Sequence, residues 1–429
     1  MSPWRILYSL SLYALMPLAL MRLWRRGRKQ PAYRRHIAER FGYYSIRPQQ
    51  PILWIHSVSV GETRAAEPLV EALRERWPDH GILFTHMTPT GRQTSEQVFG
   101  DSVARCYLPY DLPGAVSRFL SHFRPRIGVL LETEIWPNLI HACRVQSLPL
   151  YLVNARMSER SARGYARFGS FSAETLAGLA GIAAQTRADA DRLSALGGTN
   201  VVICGNLKFD RSPRPQDLEL GKRFRAMLGS KSVFLAASTR EGEEEPILDA
   251  LQPLAERELL TVIVPRHPQR FDAVARLLEQ RGIAYQRRSS EQPLRPTTRV
   301  WLGDSLGEMY AYYAACDVAF VGGSLVALGG QNLLEACALG KPVLIGPHTY
   351  NFAEATELAL DAGAALRVHG AEELRSTIEA LLGDPSRCAR MGEAGLNLMR
   401  QHQGAARRIA AMLHPAAIRA QGAEIARSA

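Results

Sequence analysis

The residues His56-Ser-Val-Ser-Val-Gly-Glu62 set a carboxylate just past a short apolar run and at the mouth of a helical one. Pro51 to Ile55 reads as a buried strand, Gly61 permits a sharp exit, and helical spacing runs through Ala66, Leu69, Val70 and Leu73. In an open parallel sheet, ligands collect outside the carboxyl ends of the strands. Glu62 therefore stands where chemistry is expected. Position alone also suits an acidic first-turn residue that complements the helix dipole.

Similar strand-end segments follow: Thr85-His-Met-Thr-Pro-Thr-Gly91, Tyr107-Leu-Pro-Tyr-Asp111, Glu132-Thr-Glu134 and Asn154-Ala-Arg156. Rich in hydroxyls and carboxylates, they suit a polar acceptor pocket. Thr88-Pro-Thr-Gly91 reads equally as a phosphate cradle at a helix start and as an ordinary N-cap. A later set is different in character: Ala237-Ser-Thr-Arg-Glu-Gly242, Pro265-Arg-His267, Gly303-Asp304, Gly322-Gly-Ser324 and Gly346-Pro-His-Thr-Tyr-Asn351. Glycine, hydroxyl and cation together suit a nucleotide phosphate. Arg266 offers a fork for oxygens, and Ser238, Gly323 and Ser324 offer extra donors. In Leu328-Gly-Gly-Gln-Asn-Leu-Leu-Glu335 the spacing predicts a helix start at Asn332, with Glu335 one turn inside and able to take a ribose diol. No Gly-x-Gly-x-x-Gly follows the first strand of either series, which argues against dinucleotide binding.

The elements that must position these residues alternate. Strands are expected at Ile52 to Ile55, Ile82 to Phe84, Ile127 to Leu131, Leu150 to Val153, Ile182 to Ala184 and Val201 to Ile203. A second series runs through Val233 to Ala236, Leu260 to Val264, Val300 to Leu302, Val318 to Val321 and Val343 to Ile345. Strand-helix alternation of this kind argues for α/β doubly wound parallel sheets. At 429 residues with 46% apolar and 22% charged content the chain is folded and long enough for two domains. The expected division is a basic anchor segment over 1–35, a Rossmann-like domain over 36–209, a linker over 210–220 at the prolines of Asp210-Arg-Ser-Pro-Arg-Pro-Gln-Asp217, a second Rossmann-like domain over 221–413, and a loose tail over 414–429. Helices at Ala371 to Leu382 and Ser386 to Gln401 are expected to close the second domain, with the two domains facing across a cleft.

Net charge is +11, which invites anionic partners. Finger spacing, helix-turn-helix and RNA-binding aromatic patterns are missing from the basic residues, so nucleic acid is not the expected partner. Ile6 to Met21 carries no charge, is flanked by Trp4 and Trp24, and is followed by Arg22, Arg25, Arg26, Arg28, Lys29, Arg34 and Arg35. Aromatic flanks and a one-sided basic block mark a segment that enters a membrane with its basic end in the cytoplasm, on anionic headgroups. The charge-free run is shorter than the ~30 Å apolar core of a bilayer, so spanning is marginal. A removed signal peptide is not expected, for want of a small-residue cleavage site. Six scattered cysteines point to a reducing compartment, and His56, His86, His267 and His348 lack metal-ligand spacing.

The strand-end motifs together are specific. Ser57-Val-Ser-Val-Gly-Glu62, Met87-Thr-Pro-Thr-Gly91, Tyr107-Leu-Pro-Tyr-Asp111, Glu132-Thr-Glu-Ile-Trp-Pro-Asn138, Asn154-Ala-Arg156, Gly205-Asn-Leu-Lys-Phe-Asp210, Val264-Pro-Arg-His267, Gly322-Gly-Ser324 and Gly330-Gln-Asn-Leu-Leu-Glu335 resemble the Kdo transferases of lipopolysaccharide synthesis, in order and from the anchor to near Gln401. The resemblance implies a GT-B glycosyltransferase that moves 3-deoxy-D-manno-octulosonic acid (Kdo) from CMP-Kdo to a lipid A precursor of the lipid IVA type, at the cytoplasmic face of the inner membrane. It implies no cofactor and no metal. Glu62 matches the general base, and Glu132 and Lys208 match positions associated with the transition state. Taken alone, Lys208 also reads as a solvated surface lysine and Glu132 as a helix-capping carboxylate before Ile135. For CMP-Kdo the resemblance points to Pro265, Arg266 and His267, to Leu306, Gly307 and Glu308, and to Asn332, Leu333, Leu334 and Glu335. Of these, Arg266 and the helix start at Asn332 suit phosphate, the backbone of 306–308 the cytosine edge, and Glu335 the ribose. Gln331 stands where some relatives have histidine. A different sugar-nucleotide activity would keep the donor loops and change the acceptor pocket. A scaffold that had lost its chemistry would not need Glu62, Lys208, Arg266 and Glu335 together.

Overall fold

The computed structural model describes residues 3–254 and 258–414. The chain divides into two compact units, one of residues 1–210 with 403–429 and the other of residues 211–402. The expected loose tail lies outside the described residues except for His414.

The first unit is built on a seven-stranded sheet of β1 (Ile52–His56), β2 (Gly81–His86), β3 (Ala104–Tyr107), β4 (Ile127–Leu131), β5 (Leu150–Ala155), β6 (Gly181–Ala184) and β7 (Val201–Ile203). Its order is β3-β2-β1-β4-β5-β6-β7 and every pairing is parallel. The central strands are buried on both faces, which is why β1 and β4 read as unbroken apolar runs rather than alternating ones. The order reverses between β1 and β4. That reversal opens a crevice at the carboxyl ends of those two strands, the place where doubly wound sheets bind ligands.

The second unit repeats the plan with β8 (Ser232–Thr239), β9 (Leu259–Pro265), β10 (Tyr285–Arg287), β11 (Val300–Leu302), β12 (Val318–Val321), β13 (Val343–Ile345) and β14 (Ala365–Arg367). These form a second parallel sheet in the order β10-β11-β9-β8-β12-β13-β14, with its reversal between β8 and β12.

Two expected boundaries move. Pro215, read as part of a linker, begins the helix Pro215–Leu228, because a proline in the first turn gives up no intrahelical hydrogen bond. Asp217 then accepts the Arg214 N–H at 3.2 Å, so at this crossing only residues 211–214 lie outside regular structure. At the other end, the helix Pro385–His402 belongs to the second unit, but the next helix, Ala405–Met412, belongs to the first. The second domain therefore ends at His402 and not at 413. Ala405, Ala406, Ile409 and Ala410 are buried in the same cluster as Leu69, Val70 and Leu73, and the Asp210 carboxylate accepts the N–H groups of Gly404 and Ala406 at the start of the helix.

The N-terminal helix Pro3–Lys29 exposes Trp4, Leu7, Leu10, Tyr13, Leu15, Leu18, Met21 and Trp24. By length and composition it is long and apolar enough to cross a membrane. One polar stripe is used otherwise: Tyr8 donates to Asp111 at 3.0 Å and Ser9 to Asn138 Oδ1 at 3.1 Å.

Candidate functional site

In the first unit the chain leaves β1 through Ser57 and Val58 and enters the short helix Val60–Ala65 at the N-cap Ser59. Ser59 Oγ accepts the Glu62 N–H at 3.1 Å, and Glu62 Oε2 reaches back to accept the Val58 N–H at 2.8 Å. The reciprocal pair fixes the carboxyl against the strand end. Glu62 is 7% exposed. Burial pushes its carboxyl above the usual value, against the pull of the Val58 and Ser59 hydrogen bonds, and the Glu132 carboxylate pushes the same way as burial. Desolvation thus outweighs the helix start and the hydrogen bonds that favour the charged form.

Across the reversal, Glu132 is the first residue after β4 and is held at φ 58 with its N–H on the Val153 carbonyl at 3.0 Å. A side chain in the left-handed region costs free energy, and such positions cluster at functional sites. Glu132 does not cap the helix that follows. That helix is Pro137–Val145, and its first free N–H groups, from Asn138 and Leu139, go to the Asp111 carboxylate at 3.0 and 2.8 Å. Two residues on, Glu134 Oε2 lies 4.0 Å from the Nε2 of the fully buried His56. Burial first, then the carboxylates of Glu62 and Glu132, raise Glu134 to about 7.

Lys208 sits in the 3-10 turn Leu207–Asp210 after the edge strand β7, four positions from β1 in the sheet. At ~4.8 Å per strand that is about 19 Å. The loop folds back: the Leu207 N–H bonds Asn154 Oδ1 at 3.0 Å at the end of β5, two strands from β1. Asn206 and Gln185 extend this amide chain, and Asn206 Oδ1 takes the Lys208 N–H. Thr88 is the N-cap of Pro89–Phe99, accepting the Gly91 N–H at 3.1 Å and donating to Val58 O at 3.0 Å, so its hydroxyl is engaged by the fold.

In the second unit the equivalent crevice, between β8 and β12, also holds a glutamate. Glu243 is fully buried and accepts four backbone N–H groups, those of Arg240, Gly323, Ser324 and Leu325, at 2.6–2.9 Å. This corrects the expectation that Gly323 and Ser324 donate to a ligand. Their N–H groups are consumed by Glu243, and Ser324 Oγ donates to Val321 O and accepts from the Gly346 N–H. A Cβ on Gly322 would meet Ser238 O at 2.6 Å, so glycine is required for the close approach of the two loops.

Arg266 is the first residue after β9; its N–H bonds Thr239 O at 2.9 Å and its Nε donates to Gln331 Oε1 at 3.2 Å. Burial, Arg240 and Arg266 together depress the exposed His267, which places three cationic or cation-capable side chains in one locality. Pro265 is buried beneath them. Leu306 is 62% exposed, Gly307 turns at φ 84, and Glu308 accepts from Arg288 at 3.1 Å and from Ser305 at 2.6 Å. The helix expected at Asn332 begins instead at Leu334 and is only four residues long, because the Asn332 side chain takes the Leu334 N–H at 3.2 Å. Leu333 and Leu334 are core residues. Glu335 Oε1 receives Arg211 at 3.0 Å and Asn332 Nδ2 at 3.3 Å. Among the described residues no group of three or more His, Cys, Asp or Glu is placed to hold a metal ion.

Residues 35–211 match the family model described as 3-deoxy-D-manno-octulosonic-acid transferase, and residues 284–398 match glycosyl transferases group 1. Over 420 residues the chain is 44% identical to a 3-deoxy-D-manno-octulosonic acid transferase of Bordetella pertussis, covering 94% of this chain and 97% of that one. The chain belongs to the Kdo transferase family. A Haemophilus influenzae Kdo transferase is 38% identical over 96% of this chain and 98% of its own. A UDP-GlcNAc 2-epimerase from Neisseria meningitidis, at 16% identity, shares the fold over 85% of this chain and 99% of that one with a TM-score of 0.57.

Glu62 and Glu132, expected at strand ends, lie just beyond the two strands that flank the first reversal. Sequence reasoning missed Glu134, which shares their crevice, and Glu243, which holds the second. Glu134 had a usable signal in the spacing of Glu132-Thr-Glu134. Glu243 had none, since only the fold reveals the four amides it collects.

Proposed function

We infer that the chain transfers Kdo from CMP-Kdo to a sugar hydroxyl of a lipid A precursor of the lipid IVA type, with Glu62 as general base. The observation that carries this is a buried carboxyl with a raised pKa, anchored at the reversal of a parallel sheet beside two more carboxyls. A base must not be too weak, and burial strengthens this one by raising its carboxyl. As Glu62 draws off the hydroxyl proton, the acceptor oxygen forms its bond to the anomeric carbon of Kdo and CMP leaves. Glu132 stabilises positive charge developing at that carbon, and Lys208 answers the carboxylate of Kdo or the departing phosphate.

In the donor domain Arg266, with His267 and Arg240 near it, binds phosphate oxygens. Residues Leu306 to Glu308 present the cytosine edge with backbone, and Asn332 to Glu335 hold the ribose, with Pro265, Leu333 and Leu334 as buried supports. No metal or cofactor is required. The exposed apolar face of the N-terminal helix and its arginines attach the enzyme to anionic lipids at the cytoplasmic face of the inner membrane.

Purified protein incubated with freshly generated CMP-Kdo and a lipid A precursor tests this by the mass of the lipid product. Growth of the acceptor by whole Kdo residues, with CMP released in step, is expected. Release of CMP without a change in the lipid would overturn the acceptor assignment.

A further inference from the structure

The mechanism above leaves His56 and Glu134 without a role. His56 ends β1 and its Nδ1 lies 3.0 Å from the Thr85 carbonyl oxygen and 2.9 Å from Thr85 Oγ1. A carbonyl oxygen only accepts, so the ring hydrogen is on Nδ1. Trp54 Nε1 donates to the same Thr85 hydroxyl at 2.7 Å and fixes it in place. Burial, with His86 acting in the same direction, lowers His56 to about 3, so the ring is neutral around pH 7 and Nε2 carries an unshared lone pair.

That nitrogen is fully buried and has no hydrogen-bond partner. The nearest carboxyl oxygen is Glu134 Oε2, 4.0 Å away, with the Trp136 ring set edge-on to the imidazole at 6.4 Å between centroids. A carboxylate there would set its lone pairs against the lone pair of Nε2. A neutral imidazole cannot supply the missing hydrogen; a protonated carboxyl can. The groups that act on Glu134 are the carboxyls of Glu62 and Glu132 and the Trp136 indole, whose buried Nε1 has no hydrogen-bond partner in place, with Tyr165 nearby. The 4.0 Å gap exceeds a hydrogen bond, but the Glu134 side chain is 23% exposed, and a rotation of its carboxyl closes it.

We propose that Glu134 stands as the neutral acid, donating its proton to His56 Nε2, and so removes one negative charge from the face that Glu62 and Glu132 present to an acidic sugar donor. Glu134 is a positioning residue, held by a histidine that serves only as acceptor, and its ionisation adds a charge that repels the carboxylate and phosphate of the donor. The idea rests on Glu62 as the base, because that assignment is what brings the anionic donor to this crevice.

The test is the pH profile of kcat/KM for CMP-Kdo, in the full chain and in Glu134→Gln, whose amide N–H still donates to Nε2 and never ionises. The wild-type profile is expected to fall on the alkaline side of about pH 7, and the variant to lack that limb. Near pH 6 the two should agree within about threefold, and near pH 9 the variant should lead by about tenfold. A purely structural glutamate would change the rate evenly across pH and leave the limb in place, which overturns the proposal. So does a wild-type profile without the limb, or a Glu134→Gln variant as inactive as Glu62→Gln. A readout free of turnover separates this from failure of the base assignment: the infrared difference spectrum of wild type minus Glu134→Gln near pH 6 should show a protonated carboxyl C=O band, and its absence contradicts the proposal even if Glu62 proves essential.

Discussion

The two sheets carry a glutamate at the same topological place, Glu62 beyond β1 and Glu243 beyond β8, and treat it in opposite ways. Glu243 is fully buried and sewn to four amides, so its charge is spent on joining the loop after β8 to the loop after β12. Glu62 is nearly as buried but has fewer donors, the Val58 N–H and its neighbour Ser59, and faces like charge from Glu132. A saturated carboxylate is a structural bolt, and an undersupplied one is kept reactive. The difference teaches that position at a sheet reversal nominates a residue, and that its hydrogen-bond supply decides whether it serves chemistry or the fold.

The comparison breaks first at Glu243. Its replacement by alanine leaves four buried N–H groups without an acceptor and should cost about 3 kcal/mol or more, read from the urea midpoint of the second unit. If Glu243→Ala folds as well as wild type, the saturated carboxylate is not what holds those loops.

Burial lowers His56 to about 3 and His86 to about 4, so both are neutral in the folded chain while the unfolded chain protonates them near 6.5. Folded values below unfolded ones mean stability that is complete above about pH 6.5 and is lost as pH falls toward about 4, up to about 3 kcal/mol for each ring. The buried carboxyls of Asp111 and Glu134, raised to about 7, act in the opposite sense across the same window, so the measure is the difference in first-unit denaturant midpoints between wild type and His86→Gln; a difference that does not change with pH would remove the desolvated ring as a source of acid lability.

A smaller effect sharpens the donor side. Arg266→Ala should raise KM for CMP-Kdo by about tenfold with little change in unfolding midpoint, since Arg266 supplies charge rather than packing. Ser324→Ala should do the reverse, costing about 1 kcal/mol through the stranded Gly346 N–H while KM stays within about twofold. Should Ser324→Ala raise KM as Arg266→Ala does, the glycine loop after β12 belongs to the donor site after all.

What the sequence disclosed follows burial. Strands covered on both faces, such as β1, β4, β9 and β12, stand out as apolar runs. The three strands not expected, β3, β10 and β14, are edge strands of three or four residues, whose half-covered side chains leave little pattern. Pro215 reads as a breaker because a first-turn proline and a loop proline look alike until the helix after it is seen. The helix Ala405–Met412 looks like any closing helix, and only the cluster it joins reveals that it returns to the first unit. At the site, Glu62 was legible from a strand, a turn and a carboxylate in succession. The supply of amides to Glu243, Ser324 and Asn332 comes from residues distant in sequence or from loop closure, and no local pattern announces it.

The account turns on the proton taken by Glu62. Single-turnover transfer from CMP-Kdo to a lipid A precursor, measured for wild type and Glu62→Gln beside calorimetric binding of CMP to each, tests it most directly. A rate lower by about 10²-fold or more with CMP affinity within about twofold is the expected result. A Glu62→Gln enzyme that transfers Kdo at close to the wild-type rate would contradict it.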